Sequence, residues 1–160
     1  MKKGIYLLVV ISLFFIELQA FGQSDCFPIN DYTGLIEIKG KVVAEDNTRD
    51  EILNKLVVWG VSKHTSPVGQ DIFKDEDSGV FKIHLAINYN YKDGFRTMYY
   101  AITMIAKDGY FEYTVNDFIM NEKPMKEYLF EKAEDKVYQQ SFGNICKKMN
   151  YTLNSLKALK

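Results

Sequence analysis

One stretch constrains the fold of this chain more than any other. From Phe81 to Tyr91 apolar side chains recur at every second position, Phe81, Ile83, Leu85, Ile87, Tyr89 and Tyr91, with Lys82, His84, Asn88 and Asn90 between them. A period of two matches the faces of a pleated strand and not the 3.6-residue turn of a helix. The run enters Asp93-Gly94, a hairpin-turn dipeptide, and Met98, Tyr100, Ile102, Met104 and Ala106 then alternate along the next segment. A two-residue Asp93-Gly94 loop would pair Lys92 with Phe95. It would then set Tyr89 against Met98, Ile87 against Tyr100, Leu85 against Ile102 and Ile83 against Met104. Apolar meets apolar at each step, and a slip of one residue would turn the whole row to the wrong face. The sequence therefore predicts a long antiparallel hairpin with one buried face.

Further strands are expected around it. Residues 35–44 alternate Ile36, Ile38 and Val42 with Glu37, Lys39 and Lys41; residues 56–61 are a continuous apolar run holding the only tryptophan, Trp59; residues 110–115 and 127–130 read as shorter strands. Turn residues separate them at Asp46-Asn47, residues 67–69, Asp77-Ser78-Gly79 and Asp108-Gly109. Such spacing predicts a mainly β chain built as an antiparallel sandwich. The end differs: Phe142, Ile145, Cys146, Met149, Leu153, Leu156 and Leu159 recur every three or four residues, which predicts an amphipathic helix over residues 141–159 with Ser141 as its N-cap. Its apolar face is expected to pack on the sandwich of its own chain, with a partner's surface as the alternative.

The first residues carry a different signal. Lys2 and Lys3 precede an uncharged, mostly apolar run over residues 5–16, and Ala20-Phe21-Gly22 places small residues at −3 and −1 of a cut before Gln23. That is the pattern of a secretory signal peptide, residues 1–22. The run is shorter than the roughly 20 apolar residues that span a bilayer, and no transmembrane span is expected after cleavage. The expected location is periplasmic or secreted. Lipoprotein anchoring at Cys26 is the weaker alternative, because Asp25 stands where a lipoprotein signal wants a small residue.

Export gives the two cysteines a meaning. With only Cys26 and Cys146 present in an oxidising compartment, one intramolecular disulfide is expected, the alternative being two buried free thiols. Closing nearly the whole chain would contribute on the order of 4 to 5 kcal/mol in the loop-entropy picture. Composition narrows the partners: 47% hydrophobic and 14% aromatic residues exclude a disordered chain, and a formal net charge of −1 offers no excess for neutralising nucleic-acid phosphates. The charge is unevenly spread, however. From Lys136 onward the chain carries Lys136, Lys147, Lys148, Lys157 and Lys160 with no acid, either as a solvated helix face or as a docking surface for an anionic partner.

Several short motifs resemble a known family. Gly40-Lys41-Val42-Val43, Glu51-Ile52-Leu53 ahead of Leu56-Val57-Val58, Asp75-Glu76-Asp77-Ser78-Gly79-Val80-Phe81, and Tyr100-Ala101-Ile102 leading to Lys107-Asp108-Gly109-Tyr110 are similar to the carboxypeptidase regulatory-like domain. The resemblance covers roughly residues 34–131, without the peptidase or transporter that usually accompanies that domain. It implies a seven-stranded transthyretin-like β-sandwich in an accessory role, and it brings no catalytic residue. On this reading residues 23–135 form the sandwich and residues 136–160 the basic amphipathic helix.

No converging catalytic set is visible. His64 sits beside Thr65, Ser66 and Pro67, and His84 points outward opposite Thr103 in the expected register; neither has the partners that a zinc site or a nucleophile-base pair requires. Asp71, Asp75, Glu76 and Asp77 miss the spacing of a calcium loop and read as a solvated turn. No metal and no cofactor is expected. The candidate binding surface is Phe95 and Tyr99 on the outer face near the hairpin tip, together with Lys147 and Lys148. The expected function is a non-catalytic accessory protein of the bacterial cell envelope that binds a protein or glycan. A periplasmic inhibitor or immunity-type protein is the alternative, and a small hydrolase using His64 or His84 ranks below both.

Overall fold

The computed structural model describes residues 26–29, 33–63, 72–92, 94–120, 122–125 and 136–159. The expected signal peptide, the turn at 67–69, the strand at 127–130, His64, Asp71 and Asp93 lie outside them. In chain order the elements are β1 (Ile38–Val43), α1 (Arg49–Lys63), β2 (Ile72–Asp75), β3 (Val80–Tyr91), β4 (Gly94–Lys107), β5 (Tyr110–Met120), β6 (Lys123–Pro124) and α2 (Lys136–Lys157). The six strands form one antiparallel sheet in the order β1-β5-β4-β3-β2, with β6 also on β5. The chain is thus mainly β with a C-terminal helix, as expected. Among the described residues, however, the layer facing the sheet is two helices and not a second sheet.

The predicted hairpin is β3 and β4, and its inner rows are buried as read: Phe81, Ile83, Leu85, Ile87 and Tyr89 from one strand, Met98, Tyr100, Ile102, Met104 and Ala106 from the other. The register differs from the expected one by two residues. Tyr91 pairs with Gly94, so Ile87 meets Met98, Leu85 meets Tyr100 and Ile83 meets Ile102. Lys92 takes the left-handed conformation at φ 51, so the turn begins there and β3 ends at Tyr91, one residue earlier than expected. A shift of two keeps every side chain on its face, so apolar patterning is blind to it and turn geometry decides.

The run over residues 56–61, expected as a strand, is the second half of α1. Ile52, Leu53, Leu56, Trp59 and Gly60 are buried at helical spacing, while Val58 is 71% exposed and Val61 57%. A strand would not divide the run that way. The helix begins in a capping box: the Thr48 N–H donates to Glu51 Oε2 at 2.8 Å, and the Glu51 N–H to Thr48 Oγ1 at 3.4 Å. The carboxylate of Asp108, in the β4–β5 turn, accepts from the Arg49 N–H at 2.8 Å and anchors the same helix end to the sheet. Gly60 sits against the sheet with the Phe81 ring beneath it, so close that a Cβ there would lie 2.5 Å from Cε1. This replacement of strand by helix removes the structural basis of the seven-stranded sandwich, since Leu56-Val57-Val58 was among the residues carrying that resemblance.

Two other features shape the sheet. Asp117, at φ 56, is part of a bulge in β5 between the pairs Tyr99–Ile119 and Ala101–Asn116. Its extra residue lets Val115 on one side of the bulge and Phe118 and Met120 on the other all reach the buried face. α2 starts at Lys136, five residues before the expected cap, and buries Ile145, Met149, Leu153 and Leu156. Ser141 is therefore inside the helix, where its hydroxyl donates to the backbone carbonyl of Asn90. Beyond Ile83 no described strand pairs with the outer edge of β3, and α2 covers that edge, satisfying carbonyls that would otherwise invite another strand. The helix thus packs on its own chain.

Candidate functional site

α1 and α2 lie on the same face of the sheet, and Trp59 joins them: its indole N–H donates to Ser155 Oγ at 3.0 Å, and that hydroxyl donates to the Thr152 carbonyl at 2.8 Å. The apolar stripe of α2 faces the core, which leaves Lys147, Lys148, Tyr151 and Thr152 as a band along its flank, two pairs each one helical turn apart. Between this band, the last turn of α1 and β3 lies a groove of about 440 Å³.

Its floor is Tyr100, packed beside Leu85 and Ile87. The Tyr100 phenol is hydrogen-bonded to Thr152; burial pushes its pKa up to about 12 and the Thr152 hydroxyl offsets part of that. The ring stays neutral through the physiological range. Around the rim stand three lysines. Lys148 Nζ donates to the Asn88 carbonyl at 2.6 Å, a second tie to the edge of β3. Lys63, the last residue of α1, holds its ammonium 5.2 Å from the centre of the Tyr151 ring. Lys147 lines the groove beside them. Among the described residues the lining has three lysines and no carboxylate, imidazole or thiol. Such an arrangement can hold a negatively charged group.

The four expected surface residues fall into two places. Lys147 and Lys148 are in the groove, with Lys148 already engaged by the Asn88 carbonyl of β3. Phe95 and Tyr99 are on the opposite, open face of the sheet, 82% and 46% exposed, where Tyr99 pairs with Ile119. Sheet thickness separates the two sets, so they do not form one surface. His84 lies on that open face too, opposite Ala101 rather than Thr103 because of the shifted register. The acidic turn between β2 and β3 is internally satisfied: Asp75 Oδ2 accepts from Ser78 Oγ at 2.6 Å, and Glu76 pairs with Lys74 at 2.6 Å. The Ser78 hydroxyl, and after it the backbone of the turn, hold the Asp75 carboxyl below its ordinary pKa. Cys26 and Cys146 are both half-buried, in contact, and not bonded to one another.

Lys63, Tyr100, Tyr151 and Thr152 belong to the groove and were not singled out from the sequence. A signal for Lys63 was present: Thr48-x-x-Glu51 marks the start of a helix, and a helix of ordinary length from there ends near residue 63. Nothing local tells that its end meets α2.

No protein-family model matches this chain, and no curated protein matches it. Among solved structures it is similar to a DUF4468 family protein from Bacteroides ovatus, with a TM-score of 0.59 and 15% identity over 84% of this chain and 92% of that one. It is also similar to a TBP-like protein from Parabacteroides distasonis, with a TM-score of 0.57 and 12% identity over 80% of this chain and 97% of that one. At these identities the likeness concerns the β-rich fold alone.

Proposed function

We propose that this chain is an exported, non-catalytic binding protein of the bacterial cell envelope, and that the groove between α1 and α2 receives an anionic group of its protein or glycan partner. The leader-like residues 1–22 support export. One observation carries the anionic group: Lys63, Lys147 and Lys148 converge on a groove whose lining, among the described residues, has no acid. Two of these ammoniums are already placed by contacts within the chain, so little ordering is left for binding to bring about. An inhibitor of an envelope hydrolase or toxin would use the same groove against an acidic patch. A hydrolase built on His84 is less favoured, because that residue stands on the other face of the sheet; His64 lies outside the described residues.

Binding of the chain from Gln23 onward is measured against oligosaccharides containing uronic acids, against acidic peptides, and against neutral counterparts of each. The acidic probes are expected to bind, more weakly as salt is raised. Reversing two charges, Lys63→Glu with Lys147→Glu, is expected to lower that affinity on the order of ten-fold or more. Both lysines are surface residues, and the pair leaves the Lys148 tie to Asn88 in place. Equal binding of neutral and acidic probes, or binding that survives the double reversal, would refute the anionic reading. The glycan and peptide arms separate the two partner classes.

A further inference from the structure

We propose that Cys26 and Cys146 are the two halves of a structural disulfide that fastens the N-terminal segment to α2, formed from the dithiol seen here by exchange with an external disulfide. Three neighbouring rings set the geometry. Phe27, beside Cys26 in the chain, is buried with its ring centre 5.2 Å from that of Phe118 on the sheet and 5.3 Å from that of Phe142 on α2. Phe142 lies one helical turn before Cys146, so both occupy the same face of α2. Anchoring Phe27 there brings Cys26 over Cys146, and the two thiols are in side-chain hydrogen-bond contact while both pack against the core. That contact sets the two thiols side by side, the arrangement from which an S–S bond is closed.

The surroundings also say which kind of cysteine pair this is. Contact with Cys146, and then burial, hold the Cys26 thiol protonated well above its ordinary range. Redox-sensing cysteines have the opposite character, an exposed thiolate at neutral pH. This pair therefore suits a link made once, as the chain folds. The balance is that of thiol–disulfide exchange: Cys26-SH and Cys146-SH give up two protons and two electrons and become bonded to one another, while a disulfide of a folding catalyst or of oxidised glutathione takes both and leaves as two thiols. In the cell that oxidant requires the export on which the proposed function also rests; in the test tube the chemistry does not.

The chain from Gln23 onward, fully reduced, is equilibrated with oxidised glutathione. The expected product is a monomer lighter by two hydrogen atoms, with no thiol open to alkylation and a Tm higher by roughly 10 °C. Cys26→Ser and Cys146→Ser variants are expected to match the reduced native chain in Tm and to gain nothing from oxidation. Stable mixed disulfides with glutathione, covalent dimers, or an oxidised monomer no more stable than the reduced one would each overturn the proposal. A second arm alkylates cells before lysis. If the disulfide forms in the tube and the cellular chain is found reduced, the link stands as chemistry and export fails. If Cys26 stays blocked after full reduction, acylation has taken its place and the proposal is overturned.

Discussion

The seat of α1 on the sheet can be tested with one small atom group. Gly60 lies in the middle of an interface, and a Cβ there would come within 2.5 Å of Phe81 Cε1, 2.7 Å of Phe81 Cζ and 3.3 Å of Ile83 Cδ1. Carbon atoms in contact prefer about 3.5–4.0 Å, so the shortfall against Phe81 is about 1 Å. Both neighbours are fully buried, which leaves the ring no solvent to retreat into. Two terms oppose one another in Gly60→Ala. Alanine favours a helix interior over glycine by about 1 kcal/mol, and forcing a methyl into a filled core costs about 1–3 kcal/mol. With two ring atoms in collision the second term wins, and a net loss of about 1–2 kcal/mol is expected. Gly143 is the control. It is an exposed glycine inside α2, and a Cβ there meets nothing within 4 Å. Gly143→Ala should keep only the helix term and stabilise the chain by about 1 kcal/mol. The same substitution in two helices is thus expected to move Tm in opposite directions, with a gap between the variants of roughly 5–15 °C. Thermal unfolding followed by helical circular dichroism and by fluorescence of the single tryptophan, Trp59, reads both. Adding Phe81→Leu should recover part of the Gly60→Ala loss, because the collision partner has been shortened. If Gly60→Ala stabilises as Gly143→Ala does, α1 does not sit on Phe81 in this way and the reasoning fails.

Other expectations concern the first turn of α1 and the floor of the groove. Thr48→Ala removes the N-cap and should destabilise the fold by about 1 kcal/mol in urea unfolding. The partner of that cap titrates: hydrogen bonds from the Thr48 backbone and hydroxyl hold the Glu51 carboxyl below its ordinary 4.5, so its contribution is full above that pH and is lost as pH falls toward the lower folded value. Glu51→Gln should accordingly lower stability in the neutral region, change the acid end least, and so flatten part of the acid limb of a stability-versus-pH curve; an unchanged acid limb would refute the cap. Tyr100 behaves in the opposite sense. Its pKa is raised from 10 to about 12 by burial, so its contribution is intact below pH 10 and is lost as pH climbs toward 12. In an ultraviolet titration, Tyr100→Phe should remove one late tyrosinate step, and loss of an early step instead would show that the phenol is not buried.

What was legible from the residues follows from how local the cause is. The β3–β4 hairpin was readable because a two-residue period over so many positions admits only a strand, and the helical stripe from Ile145 to Leu156 because it repeats over three turns. Leu56 to Val61 misled because a short apolar run has no period of its own. Val58 and Val61, both β-branched and both exposed, made a helix look like a buried strand. The capping box at Thr48 was the one local signal that argued otherwise. For the candidate site, Lys147 and Lys148 were visible as a basic tail, yet their difference was not: a hydrogen bond to Asn88, sixty residues away, sets Lys148 apart.

The sequence alone determined which faces are apolar, where the chain must turn and that the last segment is a basic amphipathic helix, because each of these depends on neighbours within a few residues. Only the tertiary structure decided the hairpin register, since a shift of two leaves the pattern unaltered and the φ of Lys92 and the hold of α2 on β3 select between them. It also decided that helices rather than a second sheet cover the hydrophobic face. That choice turns on whether Gly60 lets α1 approach Phe81, a contact between residues that no local pattern connects. The groove exists for the same reason: Lys63, Tyr100 and Tyr151 meet because two helices far apart in sequence share one face of a sheet.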